Sequence, residues 1–149
     1  MLVTTLAHTV LPPANDPVNN LPRVYIVDDD AGVRAALSML VETCGWEAIA
    51  YASAGDFFSN YVSGANQCLI LDLHMPWQNG LAVQSELARR GHNLPIILVT
   101  AHSDRPEAQL AKSRGIVAMF SKPFDSDELL KCLQRTLNCE IQEPRRKST

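Results

Sequence analysis

Five short apolar runs, each followed by an amphipathic stretch, constrain the fold of this chain more than any other feature. The runs cover residues 24–27, 46–51, 68–71, 95–99 and 117–120, and their length and β-branching suit buried strands rather than helices. Between the first two, Val33, Leu37, Leu40, Val41 and Cys44 recur at helical spacing up to Gly45. Ser53-Ala54-Gly55-Asp56 reads as a capping-box start for a helix carrying Phe57, Phe58 and Tyr61. A third helix is expected from about residue 81 to 90, stopped by Gly91, and a more polar fourth over 106–114. The fifth, over 125–137, has Asp125, Asp127 and Glu128 at its positive end and turns Leu129, Leu130, Leu133 and Leu137 toward a sheet. Five βα units in succession predict an α/β, doubly wound parallel sheet with helices on both faces.

At 149 residues the chain has room for one domain with a real core. Residues 1–22 read as a flexible leader, because Pro12, Pro13, Asn15, Asp16, Pro17, Asn19, Asn20 and Pro22 interrupt any packed element. The domain is expected over 23–139, followed by a polar tail or linker start over 140–149. With 46% apolar and 19% charged residues the composition is that of a globular protein, not a disordered one. A net charge of −3 leaves no basic footprint for nucleic acid; Arg145, Arg146 and Lys147 form only a short terminal run. Cys44, Cys68, Cys132 and Cys139 show no CxxC spacing and sit mostly in apolar runs, as reduced buried thiols do. Thr4, Thr5, His8 and Thr9 break up the N-terminus where a signal peptide would be apolar, and no run approaches a membrane span. The expected location is the cytoplasm.

Open parallel sheets carry their functional crevice at the carboxyl ends of the strands. Here the first strand runs into Asp28-Asp29-Asp30, the third ends in Asp72, the fourth in Thr100-Ala101, and the fifth is followed by Ser121-Lys122-Pro123. Crowded carboxylates call for a hard divalent cation such as magnesium, held by oxygen ligands, and Asp28, Asp29 and Asp72 would supply it. A carboxylate can also attack phosphorus to give an aspartyl phosphate, whose charge then needs the metal and a fixed cation. Lys122 can pair with phosphate oxygens, and the Thr100 hydroxyl can donate to them.

VDDD at 27–30, LDLHMPWQNGL at 71–81, VTAHSD at 99–104 and SKPF at 121–124 resemble the receiver domain of two-component response regulators, closest to its FixJ-like branch. Each string alone is a weak signal; four in order, each at a strand end, are a strong one. The resemblance covers about residues 23–139 and implies a flavodoxin-like sheet in order 2-1-3-4-5. It implies phosphotransfer from a histidine kinase to Asp72. It also implies magnesium or manganese on Asp29, Asp72 and the His74 backbone carbonyl, with Asp28 assisting. Control of transcription through an output domain or partner follows from the same likeness, as does pairing of two copies through helix four, strand five and helix five. By that likeness the chain is a switch rather than an enzyme, at most catalysing its own phosphorylation and dephosphorylation. Thr100 would swing toward the phosphoryl group, followed by the residue at 119, where the family has an aromatic and this chain has Met119. Phe120 alternates to the other face and does not take its place.

Asp30 reads as a helix cap, whereas Asp28 and Asp29 read as functional. Asp72, Lys122 and Thr100 would each be unremarked alone, and it is their convergence that argues for a site. His74 and His102, two residues beyond Asp72 and Thr100, read as groups that tune phosphoryl lifetime by controlling water rather than as a transition-metal site. Trp77 is a weak candidate for a partner contact. A metal-dependent phosphohydrolase would share the Asp, metal and lysine and often has a DxD pattern after strand one, but here the residue two beyond Asp72 is His74, the nucleophile follows strand three, and the sequence shows no cap domain for substrate. A flavin module would want hydroxyls and glycines where the first loop is acidic.

Overall fold

In the computed structural model, which describes residues 21–76 and 78–137, the strands are β1 (Arg23–Val27), β2 (Glu47–Tyr51), β3 (Gln67–Asp72), β4 (Ile96–Thr100) and β5 (Ala118–Ser121). They alternate with helices α1 (Ala31–Glu42), α2 (Ala54–Asn60), α3 (Gly80–Arg89), α4 (Pro106–Ser113) and α5 (Ser126–Leu137). All strands pair in parallel, in the order β2-β1-β3-β4-β5. This is the flavodoxin-like order that the resemblance to receiver domains implies. Residues 1–20, Trp77 and 138–149 lie outside the described residues, and with them Cys139, most of the expected leader and the expected tail.

The doubly wound build follows from alternation along each strand. On β1, Val24 and Ile26 join Cys68, Ile70, Ile97 and Val99 under α1 and α5, which contribute Leu37, Val41, Leu129, Cys132, Leu133 and Leu137. Tyr25 and Val27 point the other way, with Leu69, Leu71 and Leu98, into a core covered by α2, α3 and α4. On α5 the buried residues are Leu129, Cys132, Leu133 and Leu137, while the expected Leu130 is only half-buried. Spacings of three and four keep the former on one stripe, and Leu130 falls off its edge. Short α2 is anchored by Phe57, whose ring lies edge-on to Tyr25, Tyr51 and Phe58 at 5.0 to 6.1 Å between centroids. The described cysteines, Cys44, Cys68 and Cys132, are free thiols, the latter two buried.

Helix starts are set by short polar side chains. Asp30 accepts from Gly32 N and Val33 N, Ser53 from Asp56 N, Asn79 from Ala82 N, and Asp125 from Asp127 N and Glu128 N. Gly91 ends α3 at a positive φ of 77°, which accounts for a glycine at the expected stop.

Gly80 matters for a different reason. A Cβ there would sit 3.0 Å from Leu73 Cα and 3.3 Å from the Asp72 carbonyl oxygen, while Gly80 N donates to Leu73 O at 2.7 Å. The start of α3 thus presses on the backbone that follows β3. Gly80→Ala is expected to destabilise the fold by about 2 kcal/mol through overpacking, measured by chemical denaturation. An unchanged denaturation midpoint would show that this contact yields freely.

Candidate functional site at the carboxyl edge of the sheet

Three strand ends meet at this edge. β1 leads into Asp28, 2% exposed; β3 closes on Asp72, 4% exposed; and β4 closes on the fully buried Thr100. Asp72 is in register with Val99, and Thr100 with Ser121, so Lys122 follows directly beyond the ladder. Lys122 N donates to Thr100 O at 2.8 Å, which fixes where its side chain starts. Its ammonium then reaches Asp28 Oδ2 at 3.0 Å and Asp72 Oδ2 at 3.5 Å. The other Asp28 oxygen accepts from Asp30 N at 2.9 Å, and Asp72 Oδ1 accepts from His74 N at 3.2 Å.

Asp28, Asp29 and Asp72 each present an oxygen within 4.8 Å of the others'. Among the described residues this is the group of acidic or histidine side chains close enough to share a metal ion. Its donors are all hard oxygens, two buried and one, Asp29, exposed, a set matched to magnesium or manganese and poorly matched to softer metals. Asp30 is occupied as the α1 cap.

The electrostatics are unbalanced: one cation faces three carboxylates. Burial, then the nearby Asp28, push the Asp72 carboxyl up to about 6, against the pull of Lys122. Burial alone would lower the Lys122 ammonium, but its pairing with Asp28 and Asp72 outweighs that and holds it above its ordinary value. Both shifts are consistent, because Lys122 gains from two anions while Asp72 shares its single cation. Such a site favours a further positive charge, or a proton, on Asp72.

His74 and His102 also come to this edge. Their rings lie edge-to-face at 5.5 Å, and His74 Nδ1 is 3.2 Å from Thr100 Oγ1, which also accepts from His102 N at 3.1 Å. Burial, then Arg105, lower the pKa of His74 and favour its neutral form. Met119 is half-buried against the cluster under α2, α3 and α4, and Phe120 packs on the opposite face. Two positioning contacts were not anticipated. Arg34, in the first turn of α1, donates from Nη1 to Asp28 O at 2.8 Å. Asn79 and Gly80 hold the loop after Asp72. The sequence signals for them are a basic residue six positions after Asp28, and an Asn-Gly pair opening an amphipathic stretch.

No helix among the described residues is long and apolar enough to cross a membrane. A family model described as the response regulator receiver domain matches residues 24–134. The response regulator protein TodT of Pseudomonas putida is 40% identical over 120 residues, covering 80% of this chain and 53% of TodT. The transcriptional regulatory protein FixJ of Azorhizobium caulinodans is 31% identical over 122 residues, covering 82% of this chain and 58% of FixJ. The crystal structure of FixJ-N superimposes with a TM-score of 0.70 at 30% identity, covering 77% of this chain and 92% of that one. The chain spans about half the length of the curated relatives it matches. With this sheet order, this acidic edge and these relatives, the chain belongs to the response regulator receiver domains of two-component signalling, and FixJ is among its kin.

Proposed function

We propose that Asp72 is the phosphoacceptor of a signalling switch, taking its phosphoryl group from a sensor histidine kinase. The observation that carries this reading is the placement of Lys122 between Asp28 and Asp72, beside a cluster of three carboxylate oxygens. An ionised Asp72 oxygen forms the new O–P bond as the donor's bond to phosphorus breaks and its imidazole departs with the electron pair. Lys122 then neutralises the phosphoryl oxygens, and Thr100 donates its hydroxyl hydrogen to one of them. Asp28, Asp29, Asp72 and the His74 carbonyl would hold magnesium or manganese. A bound divalent ion offsets the carboxylate charge and the charge that develops on the transferring group. His74 and His102 flank the phosphoryl group and set its lifetime. Pairing of two copies through α4, β5 and α5, and control of transcription through an output domain or partner, complete the reading. Support for control of transcription is the name of FixJ, a transcriptional regulatory protein.

With acetyl phosphate and magnesium, the chain is expected to incorporate about one phosphoryl group. Adding excess chelator should reduce incorporation by roughly 10²-fold, since charge neutralisation is most of phosphoryl-transfer catalysis. Incorporation that ignores the chelator would contradict the metal assignment.

A further inference from the structure

Thr100 Oγ1 lies between two groups, the His102 backbone N–H at 3.1 Å and His74 Nδ1 at 3.2 Å. A hydroxyl has one hydrogen to donate, and the N–H of His102 can only donate to it. The remaining contact therefore turns on which nitrogen of His74 carries hydrogen. If Nδ1 carried it, His74 would also donate into Oγ1. The Thr100 hydrogen would then be shut inside a fully buried residue with no acceptor recorded among the described residues. Nε2, a buried atom without a hydrogen-bond partner there, would in addition present an unused lone pair. If Nε2 carries the hydrogen, Thr100 donates to Nδ1 and accepts from His102, so both of its roles are filled. The single group left over is the Nε2–H. Leaving fewer buried polar groups unpaired decides for this second arrangement.

From this we infer that His74 is a positioning residue that latches Thr100: in the resting protein its Nδ1 takes the one hydrogen that the Thr100 hydroxyl would otherwise give to a phosphoryl oxygen once Asp72 carries one. This rests on the phosphoacceptor reading and deepens it. A phosphoryl oxygen gains the Thr100 hydrogen bond only when the bond to His74 opens. The latch acts through Thr100, unlike control of water access, which would not need the hydroxyl. Met119, packed against the apolar cluster, has no part in it.

Two measurements test the latch. Imidazole nitrogen NMR of the resting wild type should show His74 with hydrogen on Nε2 and an unprotonated, hydrogen-bonded Nδ1; hydrogen on Nδ1 overturns the inference. Uptake of phosphoryl from acetyl phosphate should be roughly fivefold to tenfold faster in His74→Leu than in wild type, the fold-change of one ordinary hydrogen bond. In a Thr100→Ala background the same substitution should change the rate little. Uptake by wild type with no acceleration, or with an equal acceleration in the Thr100→Ala background, overturns the latch and leaves the phosphoacceptor reading standing. No uptake by wild type overturns both.

Discussion

In metal-free buffer at pH 7, Asp72→Asn is expected to be more stable than the wild type by about 2 kcal/mol, which for a domain of this size should raise Tm by roughly 8 °C. The sign follows from the folded-state carboxyl, pushed up to about 6 from its ordinary 3.8 by burial and by Asp28. Between these values the folded protein binds more protons than the unfolded chain, so stability falls as pH rises from about 4 to about 6 and stays low above. A rise of two pKa units corresponds to about 3 kcal/mol. Losing the contact with Lys122 returns part of that, while Lys122 keeps its shorter bond to Asp28. The stabilisation by asparagine should therefore disappear near pH 4. Magnesium should reverse the order in part, stabilising the wild type by binding its folded form and the variant much less. Thermal unfolding with and without magnesium at several pH values checks all of this. Equal stabilities at pH 7 without metal would mean that Lys122 already neutralises Asp72 and that the site stores no charge imbalance.

Removing the cation has the larger chemical effect. Lys122→Ala is expected to slow phosphorylation by acetyl phosphate by roughly 10²-fold, the scale of losing one preorganised charge contact to the reacting group. It also leaves Asp28 and Asp72, both buried, without their shared cation, at a cost of about 2 kcal/mol in metal-free buffer. Magnesium should still bind, because its oxygen ligands remain, and should recover much of the lost stability. Stopped-flow phosphorylation and magnesium-dependent unfolding separate the two effects. A rate equal to wild type would remove Lys122 from the chemistry, and loss of magnesium binding would mean that its ammonium organises the carboxylates.

The five βα units and the acidic edge were legible because both signals are local, apolar runs of strand length and acid, hydroxyl and amine at their ends, whereas the strand order came from the resemblance to receiver domains. Boundaries moved where tertiary pairing extends an element. β3 reaches Asp72 and β4 reaches Thr100 because Asp72 has Val99 as ladder partner and Thr100 has Ser121. α3 begins at Gly80 because Asn79 caps it, a choice that apolar periodicity cannot show. The convergence of Asp28, Asp29, Asp72, Thr100 and Lys122 followed from topology alone. What stayed hidden were contacts set by side-chain direction. Arg34 reaches back to Asp28 O, and His74, two residues past Asp72, turns to Thr100 on the neighbouring strand. Sequence spacing placed His74 near the phosphoryl group but could not tell which atom its ring would meet.

Whether Asp72 accepts a phosphoryl group is read from the intact mass of the protein after incubation with magnesium and acetyl phosphate. The wild type is expected to gain one phosphoryl group and Asp72→Asn none. No gain by the wild type, or an equal gain by the variant, would rule Asp72 out as the phosphoacceptor.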